Sequence, residues 1–353
     1  MKILHLAAGN RWTGAAAPAF TEVEALRGAG VEAHYAYVGG YKLQAKIGSI
    51  EFAHPIIEKA QNPLGFARSV AAIRRLIREI GIDVLHAHLT YDHALSRFAA
   101  RMSPIRIART YHSRRAIRSD LLSSSMVRRS NFIFVVNETF TQHPVLRGRK
   151  VIYTPPPLDD RMFVPRGPDL RAHYSIPPQS RVLCVIGKVS AGRGFEEALQ
   201  TLAIVRRSEP DTRLMIIGHG EHRMRLEHYS RELGVSAAVI WAGYHEEDLP
   251  EHYRSADALL FTAAGSDEGH RAVIEALGCG LPPAVFPIPG VEAILGPLAP
   301  RLAAAAATPE ALAEVVLGIF RAAGNELSTA AAERSRAFNL DSAARRLLAA
   351  YSP

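Results

Sequence analysis

RVLCVIGKVSAGRGFEEALQTLAIVRR, residues 181–207, contains in one line the alternation that decides the fold: an apolar run, a glycine-rich loop and a helical stretch. RVLCVIG reads as a strand, and the pattern after it predicts a helix over 195–207. The loop between them, GKVSAGRGF, carries Lys188 and Arg193. Two cations beside the free N–H groups of a helix start suit a diphosphate. Two solvated charges flanking a turn is the competing reading of the loop taken alone. It is not a Walker A loop, because no Gly-Lys-Ser/Thr closes it.

The same alternation extends downstream. RLMIIG, AAVIWAG, ALLFTA and PPAVFPI read as strands, with helices at 222–233, near 248–255, at 270–279, and near 309–323 and 326–337. Upstream, KILHLA, VEAHYAYV, DVLHAH, IRIARTYH, FIFVVN and VIYT read as strands, with helices near 18–27, at 66–79 and near 93–102. Between the two series TPPPLDDRMFVPRGPD, 154–169, holds five prolines and reads as an interdomain linker. A chain of 353 residues exceeds what one core usually organises. The expectation is therefore α/β: two doubly wound parallel sheets facing each other across a cleft, with ligands beyond the carboxyl ends of the strands.

Hydrophobic residues make up 48% of the chain and the formal charge is +8, which describes a globular protein with an anionic partner. The only cysteines, Cys184 and Cys279, lie in apolar surroundings and suggest buried thiols in a reducing compartment rather than a disulfide framework. MKILHLAAGN turns polar too early for a signal peptide, and no run approaches the roughly 18 apolar residues of a spanning helix. A cytoplasmic protein is expected, with attachment to a membrane surface left open.

GSDEGHRAVIEALGCG, 265–280, places Asp267 and Glu268 before a helix and Glu275 inside it. At 100° per residue Asp267 and Glu275 do not stack, so they suit two parts of one ligand; carboxylates accept paired hydrogen bonds from the vicinal hydroxyls of sugars and ribose. The plainer alternative is that the two leading acids complement the helix dipole and Glu275 is solvated. GHGEHR, 218–223, lacks the third glycine of a dinucleotide fingerprint. HLAAGNRWTGAAAP offers Gly9 and Gly14 in a small-residue loop that either lets a phosphate or an acceptor near the backbone or is a permissive turn. His86 and His88 alternate at a strand end, but two histidines fall short of a zinc set, and no metal is expected. His112 ends the strand IRIARTY, where a side chain points into the expected cleft. Residues 101–130 hold eight arginines against Asp120, with Leu121, Leu122, Met126 and Val127 interleaved. This stretch fits an anionic membrane surface or a solvated basic face. Nucleic acid fits less well, for want of a recognised module and stacking aromatics.

In this order the segments GNRWTGAAAPAFTEVEALRGAGVEA, DVLHAH, RTYH, GKVSAGRGFEEAL, RLMIIGHGEHR, VIWAGYHEEDLPEHYRSADALLF and DEGHRAVIEALGCGLP resemble the retaining glycosyltransferases of family 4, over nearly the whole chain. The resemblance implies the GT-B fold of two Rossmann-like domains. These are an acceptor-side domain, 1–157, with the C-terminal helix 340–353 packed back on it, and a donor domain, 158–339. It implies that Lys188 and Arg193 neutralise the donor diphosphate without a metal or other cofactor. Glu275 would bind the ribose hydroxyls, Asp267 the transferred sugar, and the backbone of Gly269, His270, Arg271 and Ala272 the sugar and phosphates. His112 would position the sugar, Gly14 would admit the phosphate or acceptor, and Gly243 and Tyr244 would lie near the base. The partners implied are a nucleotide-sugar and a glycan, lipopolysaccharide or lipid-linked acceptor. Here Lys precedes Arg where the family has Arg before Lys, Asp267 stands for a glutamate, and Glu268-Gly269-His270 replaces Gly-Phe-Gly. A nucleotide-sugar 2-epimerase of the same fold and a catalytically silent sugar-nucleotide or membrane-binding scaffold are the rival readings.

Overall fold

The computed structural model describes all residues except 10, 11, 13, 60, 61, 264–267 and 353. It divides into two compact units, Met1–Pro157 with Ser266–Gly269 and Phe338–Pro353, and Leu158–Gly265 with His270–Ala337.

The first unit holds strands β1 (Lys2–Ala7), β2 (Glu32–Val38), β3 (Ala53–Ile57), β4 (Val84–Ala87), β5 (Arg106–Tyr111), β6 (Phe132–Val135) and β7 (Val151–Tyr153). They form one parallel sheet in the order β3-β2-β1-β4-β5-β6-β7. Its helices are α1 (Ala16–Gly28), α2 (Lys42–Ile47), α3 (Pro63–Ile80), α4 (Thr90–Ala99) and α5 (Leu121–Arg128). The second unit holds β8 (Val182–Ile186), β9 (Arg213–Ile217), β10 (Val239–Gly243), β11 (Ala258–Phe261) and β12 (Pro283–Val285), parallel in the order β10-β9-β8-β11-β12. With it go α6 (Phe195–Val205), α7 (Arg223–Glu232), α8 (Leu249–Arg254), α9 (Arg271–Gly278), α10 (Val291–Leu295), α11 (Ala299–Leu302), α12 (Pro309–Arg321) and α13 (Glu326–Ser335). Helix α14 (Leu340–Tyr351) returns to the first unit, where Ala343 and Ala344 pack with Ala25 of α1.

Both sheets reverse their strand order beside the first strand of the unit, between β1 and β4 and between β8 and β11. At such a reversal the loops leave in opposite directions and open a crevice at the strands' carboxyl ends.

Local sequence sets the helix ends. Asn62 accepts from Gly65 N at 2.6 Å with Pro63 in the first turn, and Gly81 at φ 82° ends α3. Helix α4 begins three residues ahead of the sequence expectation, because the buried Asp92 carboxylate accepts from Leu89 N and from Ala8 N, each at 2.8 Å. Strand β3 and helix α2 have no counterpart in the sequence reading. Pro55 makes AHPII look like a breaker, yet β3 is an edge strand, where a missing N–H is tolerated.

His93 of α4 is buried, with Nε2 2.9 Å from Ser130 Oγ. Burial first, and then Arg109 and Arg97, push its pKa down to about 3. The unfolded chain protonates near 6.5 while the folded one does not. The stability from the neutral ring is therefore present above pH 6.5 and is lost as pH falls towards 3. Between pH 7 and 5 the wild type is expected to lose about 2 kcal/mol more than His93→Gln, read from urea unfolding at the two pH values. Parallel curves for the two proteins would refute the assignment.

Candidate functional site

In the second unit, the Lys188–Arg193 loop leaves the carboxyl end of β8, one of the two strands at that sheet's reversal. Lys188 is exposed, and its Nζ lies 3.2 Å from Glu221 Oε2. Arg193 is half-buried. Helix α6 starts on Gly194, at φ 77°, with no side-chain cap, so its first-turn N–H groups face the loop without a side-chain acceptor. The first-turn acid Glu196 is engaged by His222 Nε2 at 3.1 Å.

Close backbone contact fixes this loop. A Cβ on Gly218 would stand 1.8 Å from Gly187 O, and one on Gly220 2.0 Å from Val189 O. The glycines of GHGEHR thus serve the packing of the loops after β8 and β9, with Val189 N donating to His219 O and His222 N to Val189 O. Thr262, just after β11, donates through Oγ1 to Gly194 O at 2.8 Å, tying the two loops of the reversal together.

Beyond β11, His270 adopts the left-handed conformation at φ 57° and starts α9 without a side-chain cap; its Nε2 is 3.0 Å from Pro289 O. Arg271 and Ala272 occupy the first turn, and Arg271 Nε lies 3.2 Å from Glu275 Oε1. Glu275 is 8% exposed and accepts from the buried Tyr253 OH at 3.1 Å, so it is not a solvated carboxylate. Tyr253 is the functional neighbour that sequence reasoning misses; its only signal is an aromatic on the inner face of a short helix, 22 positions away. Gly243 ends the edge strand β10 at φ 89°. Tyr244 is 55% exposed, with its ring edge-on to His219 and its OH on Glu246 Oε2 at 2.8 Å. Asp267 lies outside the described residues.

In the first unit, Gly14 sits at φ 57° in the turn before α1, where a Cβ would meet no atom of the described residues within 4 Å. His112 follows β5, and its Nε2 lies 3.0 Å from His88 Nδ1. Burial and the nearby Arg109 push its pKa down to about 3, so the ring is neutral at pH 7. Glu268 and Gly269 group with this unit; Glu268 accepts from Arg114 N at 2.9 Å and from Asn137 Nδ2 at 2.8 Å. Cys184 and Cys279 are free and buried, and burial pushes both thiols up, Cys279 to about 12, leaving neither reactive at neutral pH.

The fold and these loops define a protein of two doubly wound α/β units, one of which presents cations, an uncapped helix start and a carboxylate at its sheet's reversal. Two family models match: Glycosyltransferase Family 4 over residues 12–154, and Glycosyl transferases group 1 over residues 168–337. The chain belongs to the group 1, family 4 glycosyltransferases. It is 33% identical over 141 residues to the GDP-mannose-dependent alpha-(1-6)-phosphatidylinositol monomannoside mannosyltransferase of Mycolicibacterium smegmatis, covering 37% of this chain and 36% of that one. The chain thus aligns with about a third of that relative's length. With the corresponding dimannoside mannosyltransferase of Mycobacterium tuberculosis it shares 25% identity over 319 residues, 90% of this chain and 79% of the relative. Among solved structures it resembles Anabaena HepE in complex with UDP, at a TM-score of 0.81 and 15% identity over 99% of both chains. Sucrose-phosphate synthase from Thermosynechococcus elongatus gives 0.77 and 17%, over 99% of this chain and 98% of that one. This likeness shows the GT-B fold.

Proposed function

We propose that the chain transfers a sugar from a nucleotide-sugar donor to a glycan, lipopolysaccharide or lipid-linked acceptor, with retention of anomeric configuration and without a catalytic metal. The observation that carries this reading is the pair Lys188 and Arg193 on one loop at the β8 carboxyl end, beside the uncapped start of α6. Breaking the anomeric bond builds positive charge on the ring and negative charge on the departing diphosphate. The two side chains and the helix N–H groups stabilise the latter. Glu275 takes the ribose hydroxyls, and Gly243 and Tyr244 border the base. Asp267 and the Gly269–Ala272 backbone hold the sugar and phosphates. His112, neutral and fixed by His88, positions the sugar, and Gly14 admits the phosphate or acceptor. Retention follows if attack and departure share one face, the diphosphate taking the acceptor's proton.

The names of the relatives put GDP-mannose first among the donors to be tried. At a hundred times its Kd a ligand stabilises the folded state by about 2.7 kcal/mol, a rise in Tm of several degrees. GDP and GDP-mannose are expected to produce this shift, with UDP and UDP-glucose as comparison arms. A flat response to every nucleoside diphosphate and its sugars would defeat the reading. Release of an altered sugar nucleotide without acceptor would identify an epimerase instead, and tight donor binding without turnover a silent scaffold.

Among the described residues no helix is long and apolar enough to cross a membrane. A peripheral site on an anionic membrane is supported by α5, which projects Leu121 and Leu122, 88% and 78% exposed, beside the exposed Arg114, Arg115, Arg118, Arg128 and Arg129. Each leucine buried in lipid contributes about 2 kcal/mol. Leu121→Ser with Leu122→Ser is therefore expected to weaken co-sedimentation with phosphatidylserine vesicles at least about tenfold, and raised salt to weaken the wild type. Wild-type binding that ignores both changes would exclude this surface.

A further inference from the structure

We propose that His5, Glu22, His86 and His88 form a binding site for one zinc-like divalent cation inside the first unit, a structural centre clamping α1 to β1 and β4. One ligand atom from each lies within 4.8 Å of the others, and all four residues are buried. Glu22 Oε2 is 3.5 Å from His5 Nδ1, 3.7 Å from His88 Nε2 and 4.0 Å from His86 Nδ1, and the first two nitrogens are 3.0 Å apart. Zinc–ligand bonds of about 2.0–2.2 Å place the corners of a tetrahedron about 3.3–3.6 Å apart. The triangle of His5, Glu22 and His88 has edges of 3.0, 3.5 and 3.7 Å, which bracket this size, and His86, whose Nδ1 is 4.0 Å from Glu22 and hydrogen-bonded to Tyr351 OH, would move in as the fourth corner.

The surroundings are those of a ligand set. Ligating imidazoles are oriented through their second nitrogen. Here His88 Nδ1 meets His112 Nε2 at 3.0 Å and His86 Nε2 meets Thr110 Oγ1 at 2.7 Å, while the buried His5 Nε2 has no hydrogen-bond partner among the described residues. Glu22 is 2% exposed, and its Oε2 has no hydrogen-bond partner among the described residues despite the three imidazole nitrogens around it. An unsatisfied buried carboxyl is costly; Arg346 acts on it electrostatically, and a metal cation would in addition join it to the imidazoles. Tyr351 OH, now on His86 Nδ1, is a contact the cation must displace.

The other grouping of this kind among the described residues, His245, Asp248 and His252, offers less. It has three residues rather than four, and the Asp248 side chain is 42% exposed. It serves as the control. The donor diphosphate in the proposed reaction is neutralised by residues of the second unit, so this centre does not depend on that reading.

A tag-free chain stripped with chelator and titrated with Co2+ is expected to bind one ion with the intense visible bands of a tetrahedral site. Asp248→Asn is expected to retain the uptake, and Glu22→Gln to weaken it more than about tenfold. X-ray absorption of the zinc form is expected to give nitrogen and oxygen scatterers at about 2.0–2.1 Å with an imidazole outer shell. Folded wild type that takes up no stoichiometric metal overturns the proposal whether or not Glu22→Gln folds. So does uptake that survives Glu22→Gln or disappears in Asp248→Asn.

Discussion

Replacing Lys188 by alanine is expected to lower the turnover of sugar transfer by about 10²–10³, with Arg193→Ala in the same range and the double variant near background. Removing one preorganised donor from developing negative charge typically costs about 3 kcal/mol of barrier. The structure separates this effect from a loss of folding. Lys188 has a 61% exposed side chain and its ion pair with Glu221 lies at the surface, so its contribution to stability is small. Its cost should therefore fall on the reaction and leave the Tm within a degree or two. Initial rates with the donor identified by thermal shift, alongside melting curves, provide the check. Wild-type turnover in both single variants would remove the electrostatic basis of the proposed function.

What is legible in the chain is what is local. The β8–loop–α6 succession can be read because a strand, a glycine loop and a helix each leave a period or a composition within a dozen residues, and both cations fall on one loop. Pairings across the fold leave no such trace. Glu275 looks like a free carboxylate in the sequence because Tyr253 lies 22 positions away. His5 and His88 are 83 positions apart, so His86 and His88 look like a pair short of ligands. The glycines of GHGEHR suggest a motif where packing is the cause. Gly218 and Gly220 look like a failed dinucleotide fingerprint, and it is the carbonyls of Gly187 and Val189 that leave no room for a side chain. Pro55 hides β3 because an edge strand tolerates what a central one does not.

Glu275→Gln is expected to lose most of the enzyme's discrimination between ribose and dideoxyribose nucleotides, a sharper result than loss of activity. In the wild type the carboxylate accepts from Tyr253 OH through Oε2 and pairs with Arg271 through Oε1, which fixes its plane. Two oxygens carry about four acceptor positions, a capacity suited to paired hydrogen bonds from two vicinal hydroxyls. Hydrogen bonds to a charged group contribute about 1.5–3 kcal/mol each. The wild type should therefore prefer a ribonucleoside diphosphate over its 2′,3′-dideoxy form by about a hundredfold or more, and the glutamine variant by less than about tenfold. Alanine is the poorer probe. It leaves the Tyr253 OH, on a fully buried side chain, with only the longer bond to the Ala272 carbonyl at 3.4 Å, at a cost of about 1 kcal/mol in stability, and would mix folding with binding. Glutamine keeps the volume and an oxygen for Tyr253. Binding of the two nucleotides to the two proteins closes a double-mutant cycle, in which a general weakening cancels and only coupling between Glu275 and the hydroxyls survives. Equal discrimination by both proteins would place the ribose elsewhere and reduce Glu275 to a brace for Tyr253 and Arg271.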